Sequence, residues 1–405
     1  MKSKKFVLAW LVLLAITMVL LPLAGCKNDT VPPEVEKQEQ GDGGGSETDK
    51  NNTAAKLVSI SVTPPERTVY SVGQEFDPTG MVVTATYNAG EPKDVTSLAR
   101  TNFDTVTAGK GLGKEVTVSY TEGETIKTTT FTVTVFPAEV EVLTDYESPN
   151  NTGNDCTYVA FGEWPQTEAV DFNPTTTPKS LGIFVDNYYV EGNDKYVKEG
   201  GKYYKVEPIV WRVLTTSYKA PEGGTVGEIL LLAEKILTGG IKWADNSNDY
   251  MQSYIRKWLN GNSGTGKTSD YNGDAGFLQT AFIESAQNLI ADTTVDNSAD
   301  STTDKIFLLS QQEATTESYG FATSSDSGEG STRLRFPTDY AKATGAYQGD
   351  STEGYGGWWW LRSPLYGYPN LARVINVDGD ALNGGNLDFA SGGVVPALSI
   401  SLTEN

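Results

Sequence analysis

The sequence predicts a multidomain protein in which an all-β sandwich precedes an α+β domain. Residues 57–136 alternate apolar and polar side chains in short runs separated by Pro, Gly and Asp, which is typical of antiparallel strands. Residues 156–405 mix continuous apolar runs with helical spacing and are long enough to bury a full core. In that second region we expect strands at 209–214, 229–233, 306–309, 374–377 and 394–402, and helices at 253–260 and 276–290.

The chain opens with the pattern of an export signal. Lysines precede an apolar run from Phe6 to Leu21, which is too short for a comfortable membrane span. The run ends in Leu23-Ala-Gly-Cys26, which resembles the lipobox of bacterial lipoproteins. That resemblance implies that residues 1–25 are removed as a signal peptide and that Cys26 is acylated. We therefore expect an exported chain, lipid-anchored to the cell envelope at the outer membrane or cell surface; the alternative is a plain secretory signal.

Two segments are predicted to be linkers. Residues 26–56 are rich in Glu, Asp, Gly and Lys and almost lack apolar side chains, so they cannot bury enough surface to become ordered. We expect this lipidated segment to act as a flexible spacer. Residues 137–155 contain Pro137, Pro149 and a polar run, which indicates a second linker.

The composition excludes several classes of function. The chain has 31 basic and 52 acidic residues and a formal net charge of −21, which argues against nucleic acid as a partner. It has no histidine, the commonest general base and transition-metal ligand, which excludes a Ser-His-Asp hydrolase, a His-ligated zinc enzyme and a Cys-His protease. We expect no metal and no cofactor. Cys156 is the single cysteine besides Cys26, and with Cys26 acylated we expect no disulfide inside the chain.

The first folded region carries a motif beyond its strands. Tyr70-Ser-Val-Gly-Gln-Glu-Phe-Asp-Pro-Thr-Gly80 and the closing Phe131-Thr-Val-Thr-Val135 resemble the bacterial Ig-like domain. The resemblance implies an Ig-like β-sandwich over residues 57–136. Such modules mostly act as stalks in surface proteins.

One stretch fits the letter pattern of a phosphate-binding loop. Gly261-Asn-Ser-Gly-Thr-Gly-Lys-Thr268 would need a buried strand before it and a helix starting at its Lys-Thr. A predicted helix precedes it and a turn follows it, so we expect a surface loop and no nucleotide. Asp270, Asn272 and Asp274 have calcium-loop spacing without the glycine and glutamate of an EF-hand, which leaves only a weak oxygen-ligand cation site open.

The sharpest local feature is the sequence Trp358-Trp-Trp-Leu-Arg-Ser-Pro364. Three adjacent tryptophans cannot all lie on one side of a strand, so we expect at least one in the core and one exposed. An exposed indole suits sugar rings or peptide side chains, which makes Trp358 and Trp359 candidate ligand anchors. The alternative is core packing, with the arginine binding buried carbonyl groups.

Ordered motifs across the second region resemble a bacterial family of uncharacterised function, the domain of unknown function 6273. They lie at 161–162, 165–166, 209–214, 253–260, 281–282, 304–310, 313, 337–341 and 359–364. The motif at 393–398 departs from the family pattern, since Val395 replaces an arginine. The family looks similar to the C-type-lectin-like fold of formylglycine-generating enzymes, which implies an α+β lectin-like ligand-binding domain over 156–405. No cysteine follows Cys156, so the cysteine-dependent activity of those enzymes is not implied.

Polar and aromatic residues crowd a Gly-rich stretch at 365–391. They are Tyr366, Tyr368, Asn370, Arg373, Asn376, Asp378, Asn383, Asn386, Asp388 and Phe389. Their place near the end of a lectin-like domain resembles the variable region of proteins diversified by retroelements, in which mutation remakes a binding face. Tyr, Asn and Asp give rigid contacts and adaptable hydrogen bonds, so we expect these residues to bind a ligand. The alternative is a run of ordinary β-turns.

We therefore expect a surface-anchored lipoprotein, not an enzyme, whose second domain binds a protein or glycan of a host or neighbouring cell. One alternative is a glycan-acting enzyme with two facing carboxylates, for which Glu284 and Asp304 are examples of available acids. The other is a structural envelope protein that contacts its neighbours through exposed apolar patches on residues 57–136.

Overall fold

The computed structural model describes residues 55–150, 156–178, 188–218, 228–261, 276–297, 301–323, 332–350 and 353–402. The predicted signal peptide, Cys26, nearly all of the first linker and both loop motifs after Gly261 lie outside these residues. Within the described ranges, the helices are all too short or too polar to cross a bilayer.

Residues 57–136 form a β-sandwich, as the period-2 pattern predicts. Its elements are β1 (Leu57–Thr63), β2 (Val69–Ser71), β3 (Val82–Tyr87), β4 (Lys93–Asp94), β5 (Arg100–Thr101), α1 (Thr105–Ala108), β6 (Gly111–Glu122) and β7 (Thr125–Phe136). One sheet has the order β1-β3-β4 and the other has the order β2-β7-β6-β5. Alternation along β6 buries Val116, Val118 and Tyr120 between the sheets, so apolar burial stabilises the sandwich.

The second region is built on an 8-stranded sheet. Its elements are β8 (Glu141–Leu143), β9 (Tyr158–Glu168), β10 (Tyr188–Glu191), β11 (Asp194–Glu199), β12 (Lys202–Tyr218), β13 (Glu228–Ala233), α2 (Tyr254–Asn260), α3 (Phe277–Ala281), α4 (Glu284–Gln287), β14 (Thr293–Asp296), β15 (Ser301–Asp304), β16 (Ile306–Phe307), α5 (Asp339–Ala343), β17 (Trp359–Pro364), β18 (Leu371–Ile375), β19 (Gly384–Asn386) and β20 (Ala397–Ser401).

The large sheet has the order β10-β11-β12-β13-β20-β16, and β9 pairs with both β12 and β8. The apolar runs predicted as buried strands lie in β12 and β13, and every residue of β13 is buried. Helix α2 is also confirmed, because the Ser253 side chain caps it by accepting from Arg256 N at 3.1 Å. Two smaller sheets, β14-β15 and β17-β18-β19, complete the region.

The stripe predicted as one helix over 276–290 folds instead as α3 and α4. Phe282 between them is extended, with φ −129° and ψ 131°. In a continuous helix Phe277 and Phe282 would lie about 140° apart around the axis. The break lets both rings enter one aromatic cluster, where their centroids are 5.9 Å apart. Core packing therefore overrides helical periodicity here, although the apolar stripe is buried as expected except at Leu289, which is only partly buried.

The segment predicted as a second linker, 137–155, contains β8, which pairs antiparallel with β9. Ser71 Oγ donates to Val140 O at 2.5 Å and accepts from Val142 N at 2.8 Å. Gln74 Nε2 donates to Val142 O at 2.9 Å. The described part of this segment, residues 137–150, therefore packs against both domains and is called the joint below. The prediction that it is a linker is corrected. A three-residue strand is too short to give a period-2 signal among prolines and polar residues.

Candidate functional site

The tryptophan motif forms β17 in the three-stranded sheet β17-β18-β19. Trp359 is fully buried, and its indole N–H donates to Arg333 O at 3.1 Å. A side chain without exposed surface and with a satisfied N–H packs the core and presents nothing to a ligand. The prediction that Trp359 binds a ligand is therefore wrong.

Trp358 and Trp360 lie on the other face of the strand and continue an aromatic stack. Trp358 meets Trp360 edge to face at 5.0 Å between ring centroids, and Trp360 packs on Trp243 at 5.4 Å. A Cβ on Gly392 would lie 2.2 Å from Trp360 Nε1, so glycine is required for this close approach. Trp358 is half-buried, so only part of its ring is left for a ligand.

Arg362 of the same strand holds the interior together. It is buried, donates to Leu308 O at 2.7 Å and to Asp296 O at 3.1 Å, and forms an ion pair with Glu313. Tyr218 OH donates to the other Glu313 oxygen at 2.9 Å. Burial alone would raise the pKa of the Glu313 carboxyl, but Arg362 holds that pKa below its ordinary value. The expectation of an arginine that binds buried carbonyls is confirmed.

Part of the set predicted at 365–391 meets at one end of the small sheet. Leu371 pairs with Asn386, and Leu387 N donates to Asn370 O at 3.2 Å, so the β17–β18 turn lies beside residues 386–389. The side chains there, called the aromatic end, are Tyr366, Tyr368, Asn370, Asn386, Asp388 and Phe389. The relative exposure is 96% for Tyr366, 58% for Tyr368 and 53% for Phe389.

The residues Asn376, Asp378 and Asn383 lie at the opposite end of β18 and β19. Because β18 spans five residues, or roughly 16 Å, the two ends are separate surfaces. Asn383 Nδ2 donates to Asp380 Oδ2 at 2.9 Å, and Asn376 N donates to Asp380 O at 2.8 Å. Asp378 Oδ1 accepts from Asp380 N at 3.2 Å, so the side chains of Asp378 and Asn383 and the backbone of Asn376 hold a turn, and the prediction that they form one binding face with the aromatic end is corrected.

Arg373 lies on β18 between the two ends. Its guanidinium group donates to Leu382 O, and partial burial lowers the pKa of that group. Arg373 therefore ties β18 to the turn that follows it and is not part of the aromatic end.

The aromatic end is fixed to the domain from behind. Asn248 Nδ2 donates to Tyr368 O at 3.2 Å and to Leu371 O at 3.0 Å. Trp243 N donates to Leu387 O at 2.9 Å. The segment before α2 thus holds both turns in place, so their exposed rings are preorganised for contact.

The same segment leads into a polar cleft of about 880 Å³, which the sequence did not predict. Its charged lining includes Asp245, Arg256, Lys257 and Lys305. Lys242 donates to Asp245 at 2.8 Å and, together with Tyr254, lowers the pKa of that carboxyl. The lining comes from two stretches, 244–261 and 278–305, and no local pattern signals their approach.

Neither acid named for the enzymatic alternative is arranged for catalysis. Both oxygens of Asp304 accept from Arg256 Nε at 2.9 Å, and Oδ2 also accepts from Thr302 Oγ1 at 2.7 Å. Glu284 is exposed in the first turn of α4. These two residues do not supply the facing carboxylates that glycoside hydrolysis needs. In the part of the chain that the structure describes, no three His, Cys, Asp or Glu residues cluster closely enough to hold a metal ion.

Cys156, just before β9, is disulfide-bonded. The expectation of no disulfide is therefore wrong for this residue. That expectation rested on acylation of Cys26, because the chain has 2 cysteines and an acylated Cys26 would leave Cys156 without a partner in the chain. Cys26 lies outside the described residues, and a thioether lipid and a disulfide would compete for its sulfur. Lipidation of Cys26 stays a prediction, and it would require Cys156 to form its disulfide with a cysteine of another chain.

Comparison with known families supports two domains of different kinds. Residues 63–135 match the bacterial Ig-like domain (group 3), and residues 226–402 match the domain of unknown function DUF6273. The second match contains the aromatic end, the polar cleft and Arg362.

A curated relative is the exo-beta-1,6-galactobiohydrolase of Bifidobacterium longum subsp. longum, which is 37% identical over 106 residues. The similarity covers 24% of this chain, and the chain spans only 6% of the length of that protein. Such a partial match gives no activity to this chain. The chain thus carries a bacterial Ig-like domain of group 3 followed by a DUF6273 domain.

Proposed function

We propose that this chain is a surface-anchored lipoprotein that binds a protein or glycan ligand through the aromatic end of its DUF6273 domain. The observation that carries the proposal is the exposure of Tyr366, Tyr368 and Phe389 on turns held from behind. Covering such rings removes apolar surface from water and yields roughly 25 cal/mol per Å². Rings on fixed turns also lose little conformational entropy on binding.

The rest of the chain fits this role. Acylated Cys26 would anchor the exported protein at the outer membrane or cell surface, residues 27–55 would space it, and the Ig-like domain would serve as the stalk. A net charge of −21 repels the chain from anionic lipid, which favours a domain that projects outward. The ligand would then belong to a host or neighbouring cell.

We extend the proposal to the fold, and take the DUF6273 domain to be C-type-lectin-like. The order of the sequence motifs from 161 to 364 supports this assignment. A small sheet whose turns carry the exposed side chains is also consistent with a lectin-like recognition surface.

The structural-envelope alternative has weaker support. The Ig-like domain does expose apolar side chains, among them Leu98 at 63%, Val106 at 62% and Ile126 at 64%. They lie on separate elements, and single exposed apolar residues are normal on soluble domains.

The test is a binding screen of residues 27–405 against glycan arrays and extracellular matrix proteins. The double variant Tyr366→Ala, Phe389→Ala should weaken any interaction at least about tenfold, because central aromatic side chains carry much of a binding energy. Ile126→Ala removes a comparably exposed side chain from the Ig-like domain and should leave binding unchanged. Undiminished binding by the double variant would overturn the proposal, and sugar release from a bound glycan would favour the enzymatic alternative.

A further inference from the structure

Two arginines and one glutamate form a charge cluster with no exposed surface. Arg212 belongs to β12, Glu234 directly follows β13, and Arg335 lies before α5. All three side chains have 0% relative exposure. Among the residues that the structure describes, two guanidinium groups lie near a single carboxylate, so one positive charge of the cluster has no counter-charge there. A buried charge without a partner is strongly disfavoured, which raises the question of what neutralises it.

The carboxylate is already engaged by the joint. Glu234 Oε1 accepts from Asn150 Nδ2 at 2.6 Å and from Ser148 Oγ. Glu234 Oε2 is 3.9 Å from Arg335 Nη2, which is too far for a hydrogen bond. Glu234 Oε2 itself has no hydrogen-bond donor within the described ranges, so the carboxylate gives long-range attraction to the arginines but no hydrogen bond to either.

The arginine donors are left without acceptors. Nε and Nη2 of both Arg212 and Arg335 have no hydrogen-bond partner within the described ranges. Arg335 Nη1 donates to Leu334 O at 2.7 Å, and Arg212 Nη1 reaches Thr332 O only at 3.5 Å. The Phe321 ring, 4.6 Å from the Arg212 guanidinium carbon, covers one face and accepts no in-plane hydrogen bond. Buried donors are almost always satisfied, so these four nitrogen atoms indicate a missing acceptor.

The two guanidinium groups also act on each other. Burial first, and then repulsion by Arg335, lower the pKa of the Arg212 guanidinium. A bound group that relieves this repulsion must be negative and must accept hydrogen bonds from several directions.

We propose that Arg212 and Arg335 bind a small monovalent anion of chloride size between their guanidinium groups. Such an ion accepts from several N–H groups at once, carries no hydrogen of its own, and neutralises the extra charge. A water molecule would satisfy two donors and leave the charge in place. Because the site is enclosed, the anion enters as the domain folds, and it holds the joint residues Ser148 and Asn150 against the sheet through Glu234. This inference is independent of the proposed function.

The first experiment follows thermal unfolding of residues 27–405 at constant ionic strength while chloride replaces gluconate. A ligand that binds only the folded state raises the midpoint as its concentration rises. We expect chloride and bromide to raise the midpoint, and Arg335→Gln to abolish the effect. Arg256→Gln is the matched control, since its partner Asp304 lies outside the cluster, and it should keep the chloride dependence. A wild-type midpoint that does not depend on chloride overturns the proposal.

A second variant separates an anion site from a simple network of ion pairs. Glu234→Gln removes the carboxylate that the described residues bring to the cluster, so the cluster should bind chloride at least tenfold more tightly, and chloride should partly restore the stability lost. If the cluster is only an ion-pair network, Glu234→Gln destabilises equally in chloride and gluconate. If Arg335→Gln does not fold, crystals of the wild type grown in bromide decide the matter. An anomalous peak within hydrogen-bond reach of both guanidinium groups is expected, and water alone at that position overturns the inference.

Discussion

At the scale of residues, Arg362 and Glu313 join parts of the chain that are distant in sequence. The pair is buried, and Tyr218 of β12 completes the hydrogen bonding of the Glu313 carboxylate. Such a pair is costly to separate, because either charge left alone in the interior has no water to solvate it. The tryptophan motif is therefore bound to the large sheet through its arginine as well as through its indoles.

The lowered pKa of Glu313 predicts a loss of stability in acid. The folded pKa lies below the unfolded value of about 4.3, so the contribution is complete above that pH and is lost as the pH falls through the folded pKa. Tyr218→Phe removes one hydrogen bond to the carboxylate and should cost about 1–2 kcal/mol at pH 7. The variant should also weaken the dependence of the free energy of unfolding on pH in acid, as measured by urea unfolding between about pH 3 and pH 7. Tyr366→Phe is the control, because that hydroxyl is exposed, and an unchanged slope in Tyr218→Phe would contradict the assignment.

At the scale of elements, one small sheet combines a fixed strand with exposed turns. Trp359 fills the core on one face of β17, and Trp360 stacks on Trp243 on the other, so the strand has no free side. The turns at the aromatic end are held through their backbone, so their side chains can be substituted without disturbing the turns. Packed strands resist substitution, whereas exposed turns accept it.

This contrast sharpens the hypothesis of a retroelement-diversified face. Deep sequencing of the 3′ end of the gene from many clonal isolates should show replacements at Tyr366, Asn370 and Asp388. Residues 358–364 should stay fixed, and Asn383 should vary less, since its side chain holds a turn. An aromatic end identical in all isolates would contradict diversification and leave a fixed ligand.

At the scale of the whole molecule, the joint makes the two domains share a core. Val69 and Phe136 of the Ig-like domain belong to the same apolar cluster as Val140 and Val142 of the joint. The described connection is therefore a packed interface between the Ig-like domain and the second domain.

The joint predicts a single cooperative unfolding transition for residues 57–402. Ser71→Ala leaves Val140 O and Val142 N without their side-chain partner and should cost about 1–3 kcal/mol. Ser59→Ala, on the exposed face of β1, is the control and should change little. Differential scanning calorimetry measures both variants, and two separate transitions in the wild type with a neutral Ser71→Ala would refute the shared core.

Much of the fold could be predicted because its signals are local. Period-2 alternation at Val116, Val118 and Tyr120 needs only neighbouring residues to be recognised. The break at Phe282 could not be predicted, because it depends on an aromatic cluster with Phe161, whose ring centroid lies 4.9 Å away. For the same reason the sequence indicated that the tryptophans divide between two faces, but not that Trp359 is the fully enclosed one.

The sequence by itself determined the acidic charge and the two kinds of domain, since each rests on composition or on contiguous motifs, and it predicts the export signal and the lipobox on the same grounds. Only the tertiary structure decided which of the residues at 365–391 meet, because the pairing of Leu371 with Asn386 separates the aromatic end from the turn at Asn383. It also decided that Arg212, Glu234 and Arg335 share one buried cluster. Burial and charge pairing depend on distances between remote parts of the chain, and those distances are set only when the sheets pack.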